Sequence, residues 1–386
     1  MSVDIAAPRG FERAEFEART HAAQAAMAAE GLGALLLTTE PEVRYFTGYL
    51  TRFWESPSRS WFLVLPARGA PIAVIPSIGA ALMAQTWISD IRTWPAPRPK
   101  DDGVSLLAET LREVGGPVGV PMGYEAHLRM PLGDYVRVQA ASGLEFRGDA
   151  GIVAALRAIK SEAEIDKIRA ACAIATRAYA RMGEIAGEGV PLSTVFRGFQ
   201  RLLLEEGADW VPYISGAAAQ GGYDDVISPA SDMPLALGDV MMLDTGAVRD
   251  GYFCDFDRNF AIGAPSAEVQ VAHARLIEAT EVGLAAARPG ARACDVFAAM
   301  AQIAGGGETA GRLGHGLGMQ LTEGLSLTAQ DESVLQPGMV ITLEPGTEVS
   351  PGQNLGKIMV HEENIVIREG GAERLTQFSG PEIVVL

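Results

Sequence analysis

The stretch MMLDTGAVRDGYFCDFDRNFAIG, from Met241 to Gly263, sets Asp244, Asp255 and Asp257 inside two runs of strand-forming, core-type residues. An ionised carboxylate alone in an apolar interior costs several kcal/mol or more, so these acids must be paired, neutralised or bound to a metal. Further along, Glu344 interrupts the apolar run GMVITLEPG, and Glu362 and Glu363 sit between Val360 and Ile365 in KIMVHEENIVI. Between those runs lies His315, flanked by Gly314 and Gly316, which would let backbone crowd a ligand bound to the imidazole. Carboxylates from four strands plus one imidazole suit one or two divalent ions of harder character, such as Mn, Fe or Co, better than a thiolate-type zinc site. Taken singly, each residue has a plainer role: a strand Asp paired with Arg258, a structural histidine, a solvated edge charge at Glu363. The joint pattern, including the 11-residue spacing of Asp244 and Asp255 across a hairpin, favours the metal.

The elements that must hold these groups follow from periodicity. In GYFCDFDRNFAIG, Phe253, Asp255, Asp257 and Asn259 share one strand face, while Cys254, Phe256 and Phe260 share the other. Strand-like runs are expected at 238–246, 252–262, 338–346 and 357–368. Ser161 and Glu164 form a capping box that opens a helix with apolar positions at Ile165, Ile168, Cys172, Ala175, Tyr179, Met182 and Ala186. Further helices are expected over 193–206, 266–287 and 293–303, the last two separated by Pro289-Gly290. Upstream, a helix over 11–31 and the short apolar runs GALLLTT, WFLVLP, IAVIP and VGV read as an α/β layer, with a helix from Ser105 to Val114 and a surface loop from Trp94 to Gly103. The chain therefore reads as two domains, 1–155 and 156–386.

Composition narrows the function. With 386 residues the chain exceeds what one core usually serves. Its formal charge of −17 leaves no basic excess to neutralise phosphates, which argues against nucleic acid as a partner. Cys172, Cys254 and Cys294 are widely spaced and odd in number, so neither a disulfide framework nor a structural zinc site is expected. No apolar leader-like segment or membrane-spanning run is apparent, and the reading is a soluble cytoplasmic protein with no membrane partner.

The order LDTGAVRDGYFCD, LGHGLG, TLEPG, HEENIVI resembles the creatinase/methionine aminopeptidase superfamily, in particular its aminopeptidase P, prolidase and creatinase branch of M24 metallopeptidase-like proteins. The resemblance covers nearly the whole chain. It implies a creatinase-type α/β N-terminal domain and an α+β pita-bread catalytic domain. It further implies two divalent metal ions (Mn, Fe, Co or Zn), with Asp244 a bidentate ligand of one, Asp255 and Glu362 bridging both, and His315 and Glu344 on the other. Such a metal pair activates water near neutral pH for amide hydrolysis, with Glu344 relaying the proton. A homodimer in which the N-terminal domain contributes to the partner's site is also implied.

Departures from the family pattern bear on the substrate. Thr322 stands where these peptidases usually carry a histidine seven residues after the metal histidine, and a hydroxyl is no acid near pH 7. No histidine stands near Ser228, and Val360 occupies the place of an arginine two residues before the last ligand. The groups that grip a peptide therefore look replaced. A dimethylsulfoniopropionate lyase branch resembles this combination, but Gly246 stands where that branch has an acid. Candidates for the missing roles are Asp257 and Glu323 as acid or base, and Tyr223 in the GGYDD loop with Asp224 and Asp225 as a substrate lid. His361 points away from Glu362 and is expected in the core or behind a ligand. In the N-terminal domain, Arg52, Phe53, Trp54, Arg59 and Trp61 would suit a small zwitterion. The leading expectation is a metallohydrolase that cuts a C–N amide-type bond in a short Xaa-Pro-like peptide or small amino-acid derivative. A metal-dependent lyase on a small zwitterion and a non-catalytic family member are the alternatives.

Overall fold

A computed structural model describes residues 7–56, 60–306, 311–349 and 356–386. The chain divides into two compact units, Pro8–Arg157 and Ala158–Leu386.

The first unit is built on strands β1 (Ala34–Leu37), β2 (Phe62–Pro66), β3 (Ile72–Pro76), β4 (Asp90–Trp94), β5 (Val118–Val120) and β6 (Phe146–Gly148). They form one six-stranded sheet in the order β4-β3-β2-β1-β5-β6. β1 runs antiparallel to β2 and parallel to β5, so the sheet is mixed. The short apolar runs read from sequence become strands because they are buried throughout. Leu36, Phe62, Val64, Val74 and Val118 pack with Leu107 and Leu111 of the helix Val104–Val114 in one core. The expected surface loop after Trp94 is anchored by Asp102, whose carboxylate accepts from Trp94 Nε1 at 2.7 Å and Arg98 N at 3.0 Å.

The second unit opens with the helix Glu162–Tyr179. Its capping box forms as the sequence predicts: Ser161 Oγ accepts from Glu164 N, and the Glu164 carboxylate accepts from Ser161 N at 3.0 Å. Ile165, Ile168, Cys172 and Ala175 are fully buried along it. The helix ends at Tyr179 rather than running on to Ala186, ahead of Gly183 and Gly187, which favour helix least after proline. Long helices Ala267–Ala286 and Ala293–Ala304 pack against each other.

The strands of this unit are β7 (Ile214–Gln220), β8 (Asp239–Thr245), β9 (Val248–Arg249), β10 (Tyr252–Phe253), β11 (Phe256–Ala261), β12 (Val340–Leu343), β13 (Gly346–Glu348), β14 (Ile358–Val360), β15 (Glu363–Arg368), β16 (Gly371–Arg374) and β17 (Val384–Val385). One sheet has the order β17-β11-β8-β7, another β12-β15-β16, and β9–β10 and β13–β14 are separate hairpins. Three of the runs expected to be continuous strands are broken. The gaps fall at Cys254-Asp255, Glu344-Pro345 and His361-Glu362, so an acid sits in each break rather than within a ladder.

Candidate metal centre

β8 and β11 pair antiparallel with Asp257 opposite Asp244, and β7 places Ser215 on the other side of Asp244. This register brings two acids side by side. The break between β10 and β11 is held by Asn364, whose Oδ1 accepts from Asp255 N at 3.0 Å while its Nδ2 donates to Asp255 O. Asp255 is therefore aimed by a clamp on its own backbone, not by the pleat.

The segment around His315 is stitched to β12. Thr342 N donates to His315 O at 2.7 Å, and His315 N donates to Thr342 Oγ1 at 3.1 Å. Gly314 lies at φ +139°, and a Cβ there would stand 2.3 Å from Thr342 O; at Gly316 it would stand 1.9 Å from Glu323 O. The flanking glycines thus let neighbouring backbone crowd the histidine segment, as the sequence reading expects of them. His315 Nδ1 donates to Gly316 O at 3.0 Å, which leaves Nε2 facing Asp255 Oδ2 at 3.2 Å and Glu362 Oε1 at 3.9 Å.

Asp244, Asp255, His315, Glu344 and Glu362 all line one cavity of about 440 Å³, together with Asp257 and Thr322. Ligand-capable atoms of Asp255, His315 and Glu362 lie within 4.8 Å of one another. Burial, and next the charge of Asp255, push Asp244 up to about 8; burial also raises Asp255 and Glu344 to about 7. Glu362 and Asp257 are raised still further, again first by burial and then by neighbouring acids. Burial, then Arg312, hold His315 below the ordinary imidazole value. The imidazole is neutral, and its Nε2 lone pair faces carboxylate oxygens at close range. Only a proton or a cation between them relieves that arrangement. Glu362 Oε1 and Asp257 Oδ1 also have no hydrogen-bond partner among the described residues. The donor set, oxygen-rich with one imidazole, fits a divalent cation.

Several supporting residues escape the sequence reading. The Tyr213 hydroxyl lies 3.2 Å from both oxygens of Asp244 and closer to Asp255 Oδ1, so its one proton serves the two acids between them, and Ser215 Oγ donates to Asp244 Oδ2 at 3.3 Å. A Cβ at Gly246 would lie 2.3 Å from the Tyr213 ring, so the acid expected in a lyase has no room at that position. Arg312 lines the cavity three residues before His315. A tyrosine after WVP and an arginine in GRLGHG are visible in the sequence, but neither carries a spacing that ties it to the acids.

Other expectations are corrected. Glu363 is no solvated edge charge: it is fully buried and paired with Arg258 at 2.9 Å, and Nε2 of His361 donates to it at 3.1 Å. Burial raises its carboxyl, but Arg258 and then His361 outweigh this and hold it below the usual range. Glu323 does not line the cavity. Its carboxylate is buried against Lys160 Nζ at 2.9 Å, in space that Gly318 leaves open. Tyr223 is a core residue and not a lid: it is fully buried, its hydroxyl donates to Asn259 Oδ1 at 3.1 Å and accepts from Val360 N at 2.6 Å. Asp224 pairs with Lys357, and Asp225 caps the following turn at Ser228. His361 is buried behind the cavity, with Nδ1 at 3.7 Å from Asp257 Oδ1.

In the first unit, Arg52 is exposed and paired with Glu55 in the short 3₁₀ turn Arg52–Glu55. Trp54 is buried against Trp61 at 5.8 Å between ring centroids, with the Arg129 guanidinium 5.1 Å from its ring. That ring is packing the unit's own core and is not open to a zwitterion. Arg59 lies outside the described residues.

Comparison with known proteins gives the same frame. Residues 166–369 match the model of metallopeptidase family M24, and residues 19–159 match that of the creatinase/prolidase N-terminal domain. The chain belongs to metallopeptidase family M24. It is similar to the probable dipeptidase PepE of Mycobacterium tuberculosis, 29% identical over 392 residues and covering 98% of both chains. It is also similar to the Xaa-Pro dipeptidase of Pyrococcus horikoshii, 26% identical, over 90% of this chain and 93% of that one. Among solved structures, dipeptidase PepE from Mycobacterium ulcerans superposes with a TM-score of 0.82 at 27% identity, over 97% of this chain and 99% of that one. The fold is thus the pita-bread fold with a creatinase-type N-terminal domain, and the protein is a metal-dependent peptidase; the lyase alternative is not favoured. Among the described residues no helix is long and apolar enough to cross a membrane.

Proposed function

We propose that the chain is a dipeptidase, with Xaa-Pro dipeptides among its substrates, that works with two divalent ions. The observation that carries this reading is the convergence of Asp255, His315 and Glu362 within 4.8 Å, beside Asp244 and Glu344, at a cavity where facing lone pairs call for a cation. Asp244, Asp255, His315, Glu344 and Glu362 would hold the metal. Bound divalent ions supply activated water and polarise the scissile carbonyl.

The remaining work falls to side chains. Glu344, which lines the cavity, accepts and returns the proton that moves to the leaving nitrogen. Tyr213 and Ser215 fix the oxygens of Asp244 so that the ligand set is rigid before substrate arrives. Thr322 offers a hydroxyl to the peptide where the family's histidine is absent, and Asp257, unpartnered at Oδ1, faces the same space. A cavity of about 440 Å³ is small among ligand pockets and suits a dipeptide. The relatives' names, dipeptidase and Xaa-Pro dipeptidase, support the same substrate class. A cytoplasmic homodimer with the N-terminal unit serving its partner's site belongs to this proposal and rests on the family resemblance.

Metal analysis by mass spectrometry, with a dipeptide panel assayed after addition of Mn, tests the reading. Wild type should carry two equivalents per chain and cleave Xaa-Pro dipeptides, and Asp255→Ala should lose both properties. A variant that keeps two full equivalents would refute the ligand assignment.

A further inference from the structure

Four side chains of the helix Glu162–Tyr179 reach the segments that carry and brace Asp244 and Asp255. The Glu164 carboxylate accepts from the Tyr252 hydroxyl at 2.9 Å, and Lys167 Nζ pairs with Asp250 at 2.5 Å, so the turn between the two acids is held on the first half of the helix. Further along, Cys172 Sγ donates to Asn364 Oδ1 at 3.3 Å. The Tyr179 hydroxyl lies 2.9 Å from Leu243 O and 3.0 Å from Phe256 O, its one proton shared between the two carbonyls.

The last two contacts sit next to the acids themselves. Asn364 Oδ1 also accepts from Asp255 N, so the thiol and the backbone of Asp255 donate to the same oxygen and together fix which way round the amide stands. Leu243 immediately precedes Asp244, and Phe256 immediately follows Asp255. Cys172 and Asn364 are 0% exposed and Tyr179 is 6% exposed, so solvent has no ready access to replace a bond that is lost. Burial, the largest influence on both, raises the Cys172 thiol and the Tyr179 phenol, so each keeps the proton it donates. For packing alone a valine and a phenylalanine would serve at these positions; the polar atoms go instead to the backbone, or to its clamp, beside two acids.

We propose that Cys172 and Tyr179 are positioning residues of the metal centre, through which the helix sets cation affinity by fixing the backbone on which Asp244 and Asp255 stand. This inference rests on the ligand assignment of the proposed function. Neither side chain lines the cavity, so neither acts on substrate directly. Hydrogen-bond partners of metal ligands govern about 10- to 100-fold in affinity, and groups one bond further out should govern less, about 3- to 10-fold, as expected for one ordinary hydrogen bond. Tyr179→Phe keeps the ring against Phe199 and Phe256, at 4.6 and 5.4 Å between centroids, and is expected to fold.

Titration of the full chain, stripped of metal, with Co²⁺ and followed by visible absorption tests this on wild type, Cys172→Val, Cys172→Ser and Tyr179→Phe, with thermal unfolding of the same metal-free samples alongside. Cys172→Val and Tyr179→Phe should weaken Co²⁺ binding by about 3- to 10-fold and alter the absorption band of the bound ion, while Cys172→Ser, which keeps a donor, should stay within about twofold of wild type. A merely structural role would lower Tm and leave affinity and band unmoved, and that result overturns the proposal, as does Cys172→Ser behaving like Cys172→Val. Should Tyr179→Phe not fold, the two Cys172 variants decide. Wild type that takes up no Co²⁺ overturns the ligand assignment and this inference together, whereas normal wild-type uptake with unmoved variants overturns this inference alone.

Discussion

Replacing Arg258 by Met should be among the most damaging single changes behind the cavity. Its Nη2 pairs with Glu363 Oε2 at 2.9 Å and donates to Gln377 O at 2.7 Å, while Nη1 donates to Asp257 O at 2.6 Å and Glu362 O at 3.1 Å. The side chains of Arg258 and Glu363 are 12% and 0% exposed. Removing one member of such a buried pair strands the other charge, which costs about 3–5 kcal/mol. Three backbone carbonyls also lose a donor, so a loss of about 4 kcal/mol or more is expected. For a unit of this size that corresponds to a fall of roughly 8–16 °C in Tm. Thermal and urea unfolding of metal-loaded wild type and variant would measure it, with Arg258→Met/Glu363→Met expected to recover a substantial part because no unpaired charge remains. Being buried, the pair should respond little to salt between 0.1 and 1 M. The carboxyl of Glu363 is depressed in the fold, so its contribution is present above the unfolded value near 4.3 and fades as pH falls below it. A loss below about 1 kcal/mol, as a solvated charge would give, refutes the reasoning.

Three further outcomes follow from the same geometry. Glu323→Gln should lower stability by about 3–5 kcal/mol, because Lys160 is left buried without its carboxylate, yet slow turnover by far less than the roughly 10²-fold that loss of a general acid costs; a 10²-fold drop in kcat at constant metal content would return Glu323 to catalysis. Metal-free protein should lose stability as pH rises: Asp244, Asp255 and Glu344 hold protons up to about 8, 7 and 7 in the fold but not when unfolded, so the native state binds more protons and ΔG falls between pH 4 and 8. The Tm of chelated protein at pH 6 and pH 8.5 checks this, and equal values would contradict it. Gly246→Ala should displace the Tyr213 ring, against which a Cβ would stand at 2.3 Å, and lower both kcat and metal affinity; unaltered metal titration would show that Tyr213 does not orient Asp244.

Much of the architecture is legible in the sequence because it depends on neighbours in the chain. The capping box at Ser161 and Glu164 and the apolar runs of the first unit are local patterns, and they form as read. The site is legible only in part. Period 2 correctly sends Asp255 and Asp257 to one cavity, but it does so for a strand that is in fact broken at Asp255. Glu363 looks like an edge charge because its partner Arg258 lies 105 residues away, and Asn364 gives no hint that it clamps a backbone 109 residues distant. Tyr223 stands in a glycine-rich run that reads as a lid, yet its ring packs with Val240, Met242 and Met359. At Glu363, Asn364 and Tyr223 the miss concerns a polar group whose partner is remote in sequence.

The broken strands explain how carboxylates that repel one another are kept together. A regular ladder alternates side chains between faces and would turn consecutive acids apart. At each break the freed backbone group is bound instead by another segment of the site: Asp255 N by Asn364, Glu344 N by Leu313 O, and His361 N by Pro345 O. Pro345 belongs to one break and His361 to another, and Asn364 follows Glu362 in β15, so the three breaks are tied to each other and not only to their own sheets. Arg258 adds a further tie by donating to the carbonyls of Asp257 and Glu362. Those links fix the backbone that carries the acids, whose pKa values are raised first by burial and, at Asp244, Glu344 and Glu362, also by the charge of neighbouring acids. Cation affinity at this site therefore depends on cross-links to the ligands' own backbone, at Asp255 N and Glu344 N, as well as on the ligand atoms.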